Sequence, residues 1–202
     1  RKQQKMKKRK VYAVRPSKAP VTHLLVRGSP FELGDEVSAG GVQSVTGSIS
    51  SNFGLGPDAP DAERRKKLAT WISAPDNPLF ARVIVNRLWH YHFGKGLVQT
   101  TNDLGFNGGN PSHPKLLDWL AVELKEQKWS LKAIHKIICD SATYRQSSQE
   151  NPKALEKDSD NVLLWKRSIS RLEAELIRDS ILTVSGQLNK KMGGPGYRDF
   201  KM

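Results

Sequence analysis

The stretch that most limits what this chain can fold into is residues 77–98, NPLFARVIVNRLWHYHFGKGLV. Asn77 is a favourable helix N-cap and Pro78 suits the first helical position, so a helix is predicted to begin here. Gly94 and Gly96 predict its end. At 100° per residue, the helix has two apolar stripes that lie nearly opposite each other. One consists of Phe80, Val83, Ile84, Leu88 and Tyr91, and the other of Val85, Trp89 and Phe93. A helix with two apolar sides is typical of one buried between other elements, so this is predicted to be the core helix.

The narrow face left between the stripes carries Arg82, Asn86 and His90 at four-residue spacing. A glycine-containing stretch follows this helix, and its polar residues can shape a pocket, although turn formation and capping explain them more simply. One hypothesis is that a set of polar residues converges on one cleft as the site of an enzyme. Its weak catalytic candidates are Arg82, Asn86, His90, Asp103, His113 and Arg145.

Other segments with helical periodicity predict a mainly α, irregular multi-helix domain. Their predicted inner faces are Leu68, Trp71 and Ile72 within residues 61–72; Leu116, Leu120 and Leu124 after a cap at Ser112; and Leu131, Ile134, Ile137 and Ile138 after a cap at Ser130. A last helix is predicted over residues 170–188, capped by Ser170. Residues 22–26 and 34–37 predict a short extended or β-containing N-terminal segment, whereas residues 38–60 predict a loop without a core of its own.

Two charged side chains fall on predicted apolar faces. Arg87 lies between the apolar residues of the central helix, and Glu173 shares the face of Ile177 and Ile181 on the last helix. A buried charge without a partner costs several kcal/mol, so we expect Arg87 and Glu173 to be buried and to form a structural ion pair, with Arg82 as the other possible partner. Such a pair can be purely structural or can line a ligand site.

The remaining residues do not indicate a disulfide, a metal site, a haem attachment site, a catalytic nucleophile or a phosphate-binding loop. The single Cys139 excludes an internal disulfide and a cysteine-rich metal site, and no C-x-x-C-H sequence attaches haem c. His90 and His92 are 200° apart on a helix, and the other histidines lack ligand spacing, so no metal site and no cofactor site are predicted. No G-x-S-x-G nucleophile elbow and no complete phosphate-binding loop occurs.

The net charge of +13 suggests nucleic-acid binding, but it is unevenly placed. Seven of the first ten residues are Lys or Arg, which leaves +6 for the other 192 residues. A short basic run is more typical of a solvated linker than of a binding arm, so a nucleic-acid partner is not favoured. No run of 18 apolar residues occurs, so no membrane span is predicted.

Several long blocks occur in an order that resembles one family. They are NPLFARVIVNRLWHYHFGKGLVQTTNDLG, NPSHPKLLDWLA, WSLKAIHKIIC, TYRQSS, NVLLWKR, RLEAELIRDSILTVSG and GGPGYRDF, preceded by THLLVRGSPFELGDEV. The chain is identified as resembling the planctomycete-type PSD domain of unknown function over about residues 20–200. The resemblance implies a junction segment at residues 1–60 and the first half of a helical PSD-type domain at residues 61–202.

The resemblance also implies a larger parent protein. Members carry a cytochrome-c-like haem domain upstream and are thought to be exported, so the partners expected here are upstream domains of the same chain. Haem c is then expected in the parent and not in this segment, and no catalytic residues are established for the family. The first hypothesis is a non-catalytic structural or interaction module of an exported, haem-linked protein. The alternative is an enzyme domain that acts on an extracellular polymer, or on another substrate, beside the haem domain.

Overall fold

The fold is mainly α, as predicted. The computed structural model describes residues 20–45 and 49–193, together with Arg15, Ser17 and Lys18. Seven α-helices and one two-stranded sheet occur within these residues. The chain divides between Ser141 and Ala142 into two compact units. The sequence-based boundary after residue 60 stays a prediction, and the basic run at residues 1–10 lies outside the described residues.

The predicted extended segment forms a small antiparallel sheet. Strand β1 (His23–Leu25) pairs with strand β2 (Leu33–Glu36), with His23 opposite Glu36 and Leu25 opposite Leu33. A 3-10 turn over Val26–Gly28 follows β1. In the loop at residues 38–60, Phe53 is buried, at only 8% exposure. The expectation that this loop has no core of its own stays a prediction.

Helix α1 (Asp61–Ile72) lies where the helical periodicity predicts it, and Pro60 occupies its N-cap position. Its predicted inner face is only partly buried. Trp71 is half-buried, and its indole lies against Gly41, where a Cβ would come within 2.6 Å of Trp71 Cε2. Leu68 and Ile72 are exposed, so burial of the full stripe was wrong.

Helix α2 (Pro78–Phe93) begins and ends as its sequence predicts. Asn77 Oδ1 accepts from the N–H of Leu79 at 2.9 Å, and Gly94 ends the helix at a left-handed φ of 79°. The helix is most deeply buried along the stripe of Val85, Trp89 and Phe93, and Leu88 of the opposite stripe is also buried, so burial on both sides is confirmed only in part. Its core residues are Ala81, Val85, Leu88, Trp89 and Phe93, whereas Tyr91 is 75% exposed.

Helices α3 (Pro114–Glu126) and α4 (Leu131–Asp140) both contact α2 and complete the core of the first unit. Ser130 caps α4 as predicted. Ser112 does not cap α3, because its N–H and hydroxyl both donate to the Leu97 carbonyl oxygen and His113 takes the N-cap position. The buried residues of the two helices are Leu117, Leu120, Ala121, Leu124, Ile134 and Ile138.

The second unit contains helices α5 (Ala142–Arg145), α6 (Pro152–Lys157) and α7 (Ala174–Val184). The last helix is therefore shorter than predicted, and Glu173 and not Ser170 occupies its N-cap position.

A surface ion pair also lies in the second unit, where Lys166 Nζ donates to Glu150 Oε1 at 2.7 Å. This hydrogen bond, aided by the lysine charge, holds the pKa of the Glu150 carboxyl below its ordinary value.

No helix among the described residues combines enough length with enough apolar character to cross a membrane.

Candidate functional site

The buried side chain of Asn86 fixes the course of the chain after α2. Its Nδ2 donates to the Val98 carbonyl and its Oδ1 accepts from the Val98 N–H, both at 2.9 Å, with the side chain fully buried. Gly96 makes this approach possible, because a Cβ there would lie 2.5 Å from the Val98 oxygen and 2.8 Å from Asn86 Oδ1. Asn86 therefore serves as a clamp between α2 and the segment leading into the next loop.

The loop at residues 99–113 is held by its own hydrogen bonds. Thr100 Oγ1 donates to the Asp103 carbonyl at 2.6 Å and accepts from the Gly109 N–H at 2.9 Å. Asp103 Oδ1 accepts from the Gly105 N–H at 2.8 Å. A Cβ at Gly108 would overlap the Asp103 carbonyl, so only glycine fits there. The loop is thus a preformed wall attached to α2 and α3.

A cleft of about 630 Å³ lies between this loop and the helices α2 and α3. This volume is within the range of small-molecule sites, roughly 300–1,000 Å³. Its apolar lining includes Leu79, Val98, Leu104 and Leu117. Its polar lining comes from the loop backbone, Asn110 and two charged side chains. A neighbouring cavity of about 340 Å³ is lined by Arg87, Asn102 and Asp103, among others.

The two charged side chains of the larger cleft are bonded to each other. Arg82 Nε donates to Asp118 Oδ1 at 2.6 Å, and Arg82 Nη1 donates to the Pro78 carbonyl at 2.9 Å. The side chains keep 34% and 55% of their surface exposed, respectively. The pair is therefore oriented by the fold and open to solvent at the same time.

The six catalytic candidates lie in different parts of the structure and make different contacts. Arg82 lines the larger cleft and Asp103 the smaller one, whereas Asn86 is sealed against Val98. The other three lie elsewhere. His90 is half-buried, with its ring and that of Tyr91 in a T-shaped arrangement. His113 contacts Ser112 Oγ through Nδ1 at 3.0 Å, and Arg145 lies on α5 in the second unit. A catalytic role for these residues stays a prediction.

The burial expected of Arg87 and Glu173 was wrong, since both residues are exposed. Arg87 lies on the half-exposed side of α2 and donates through Nη2 to Asn102 Oδ1 at 2.5 Å. Glu173 precedes α7, so it does not share the helical stripe that the sequence assigned to it. Their ion pair stays a prediction, because the two residues belong to different units.

Two contacts in the first unit were missed by the sequence reasoning. Asp118, the partner of Arg82, lies 36 residues further along the chain. His92 Nε2 and His135 Nδ1 lie 2.8 Å apart although 43 residues separate them. The helical periodicity of α2, α3 and α4 shows on which face of its own helix each residue lies. It does not show which faces pack against each other, and that packing is what brings these residues together. Among the described residues, no three His, Cys, Asp or Glu side chains are grouped to hold a metal ion.

The family model PSD1, described as a protein of unknown function (DUF1553), matches residues 64–202. No curated protein matches the chain. No solved structure matches it either.

Proposed function

Since the chain belongs to the PSD1 family of proteins of unknown function, we propose that its first unit is a non-catalytic interaction module that binds a ligand in the Arg82–Asp118 cleft. The observation that carries this proposal is the make-up of the cleft. Its walls are apolar side chains and glycine backbone, and its charged groups are already positioned by the fold. Preformed clefts with an apolar lining and a few oriented polar groups are typical of ligand sites.

The cleft is better suited to holding a ligand than to transforming one. General acid–base chemistry uses groups placed to give and take protons around the reacting atoms, and glycoside hydrolysis usually needs two carboxylates. Among the described residues that line the cleft, Asp118 is the one carboxylate, and no histidine, cysteine or serine lines it. Binding without turnover is therefore the function that this lining supports best.

Binding can be tested on the full chain by NMR. We expect the amide signals of Gly105, Gly108 and Gly109, which line the cleft, to shift saturably with at least one probe from a set of neutral sugars, carboxylates and short peptides. The probe should be recovered chemically unchanged. Conversion of the probe, or shifts that map outside the cleft, would contradict a non-catalytic cleft.

A variant in which the cleft is blocked tests whether the shifts arise from binding in the cleft. A Cβ at Gly109 meets only Thr100 Oγ1 at 3.8 Å, so Gly109→Phe can place a ring beside the cleft without a clash at Cβ. Gly56→Phe is the matched variant, since a Cβ there meets nothing within 4 Å and Gly56 does not line the cleft. We expect Gly109→Phe to abolish the shifts and Gly56→Phe to retain them.

We also propose that this module works within an exported, multidomain protein that carries haem c in another domain. The ordered sequence blocks shared with PSD-type proteins support this placement. The prediction is that the gene of the parent protein encodes a C-x-x-C-H sequence upstream of this segment and that the protein is recovered outside the cytoplasm. A parent gene without that sequence would remove the haem part of the proposal, and fractionation tests the export.

A further inference from the structure

The chemistry of the cleft indicates what kind of ligand it takes, if the proposed binding function holds. Arg82 uses Nε and Nη1 on Asp118 and Pro78, and no further acceptor for Arg82 exists in the described part of the chain. Asp118 Oδ2 likewise has no donor there. Arg82 Nη2 and Asp118 Oδ2 therefore leave an N–H donor and a carboxylate acceptor unused on two bonded side chains that line the cleft.

This arrangement favours hydroxyl groups over charged groups. A hydroxyl both donates and accepts, so two adjacent hydroxyls can accept from Arg82 and donate to Asp118. The charges of Arg82 and Asp118 cancel, so the pair offers no net attraction to an anion or a cation. An anion on Arg82 would also meet the carboxylate of Asp118. A neutral ligand with neighbouring hydroxyls fits both groups at once.

Phe106 adds an apolar surface beside this polar pair. It lines the cleft, yet its side chain is fully exposed, at 103% of its reference surface. A solvated aromatic ring gains by being covered, and its negative face attracts weakly positive C–H groups. The ring face of a saccharide presents such C–H groups while its edge carries hydroxyls.

The loop leaves room for a ring at this position. Gly105, Gly108 and Gly109 line the cleft without side chains, so part of the wall that the loop contributes is backbone. We propose that the cleft binds a neutral saccharide, with neighbouring hydroxyls on Arg82 and Asp118 and a sugar ring against Phe106. This inference rests on the proposed binding function and names its ligand class.

Calorimetry and NMR with defined probes test the ligand class. The probes are neutral hexasaccharides of glucose, xylose and mannose, a hexamer of galacturonate, and a proline-rich peptide. We expect at least one neutral hexasaccharide to bind and to shift the amides of Gly105, Gly108 and Gly109. The galacturonate oligomer and the peptide should produce no saturable shift there.

Matched variants of the full chain assign the binding to this cleft. We expect Phe106→Ala to weaken saccharide binding by about tenfold or more, whereas Phe31→Ala should leave it unchanged. Phe31 is 94% exposed, on the β1–β2 connection, so it controls for the loss of an exposed ring. Asp118→Asn should weaken binding by a similar factor without unfolding the chain, because exposed ion pairs contribute little to stability.

The possible outcomes separate this inference from the function on which it rests. Saccharide binding that depends on Phe106 and Asp118 supports both. Saturable binding of only the anionic oligomer or the peptide in the cleft overturns the saccharide assignment and leaves the binding module standing. Saccharide binding that is insensitive to Phe106→Ala also overturns the assignment. Absence of cleft shifts with every probe overturns both proposals.

Discussion

Replacing Asn86 with leucine is expected to lower the free energy of unfolding by about 3–5 kcal/mol, since each buried polar group left unpaired costs about 1–3 kcal/mol. The substitution keeps a side chain of similar size but removes both partners of Val98. The N–H and the carbonyl of Val98 would then be buried without a hydrogen bond, at a position only 3% exposed. Chemical denaturation followed by circular dichroism measures the loss.

Asn107→Leu is the matched control for this change. Asn107 is exposed and has no hydrogen bond to any described residue, so the same substitution there should change stability by less than about 0.5 kcal/mol. Equal unfolding midpoints for the two variants would show that Asn86 does not act as a clamp. We also expect faster amide exchange in the loop at residues 99–113 of Asn86→Leu, because the base of that loop is released.

Local chemistry explains which parts of the fold the sequence could predict. The ends of α2 depend on Asn77, Pro78 and Gly94, which act on backbone groups within a few residues, and the structure confirms all three. The cap at Ser130 is equally local and also correct. Ser112 has the same chemistry but bonds to Leu97, 15 residues earlier, so its local preference was overridden by tertiary structure.

The choice of the buried face of α2 shows a second limit. Periodicity identified two apolar stripes, but it cannot say which stripe the neighbouring helices cover. Helices α3 and α4 both contact α2. The stripe of Val85, Trp89 and Phe93 is buried throughout, whereas the other stripe is buried only in part, at Leu88. Arg87 lies on the other side and reaches Asn102, which removes the reason for expecting it to be buried.

The candidate cleft depends on contacts that sequence spacing does not reveal. Arg82 was identified from the polar face of α2, but its partner Asp118 belongs to another helix. Asn86 was identified on the same face, yet it proves structural because the chain folds back over it at Gly96 and Val98. A polar residue at helical spacing thus predicts a partner, and only the packing decides whether that partner is a ligand or the chain itself.

Replacing Leu124 with alanine is the second change for which we expect a large effect. Leu124 is completely buried in α3, the helix that contacts both α2 and α4. Truncation of a buried leucine removes its apolar burial and leaves a cavity, which costs about 2–5 kcal/mol. Thermal and denaturant unfolding of Leu124→Ala should therefore show a clearly lower midpoint than the parent chain.

Val122→Ala controls for the loss of apolar side-chain atoms on the same helix. Val122 is 52% exposed, so its truncation should change stability by less than about 1 kcal/mol. If both variants unfold at the same midpoint, α3 does not pack as the structure has it.

Leu124 does not line the cleft, whereas Leu117 and Asp118 on the same helix do. The folded fraction of Leu124→Ala should therefore bind a cleft ligand with unchanged affinity, which separates the stability of the helical core from the recognition built on its surface.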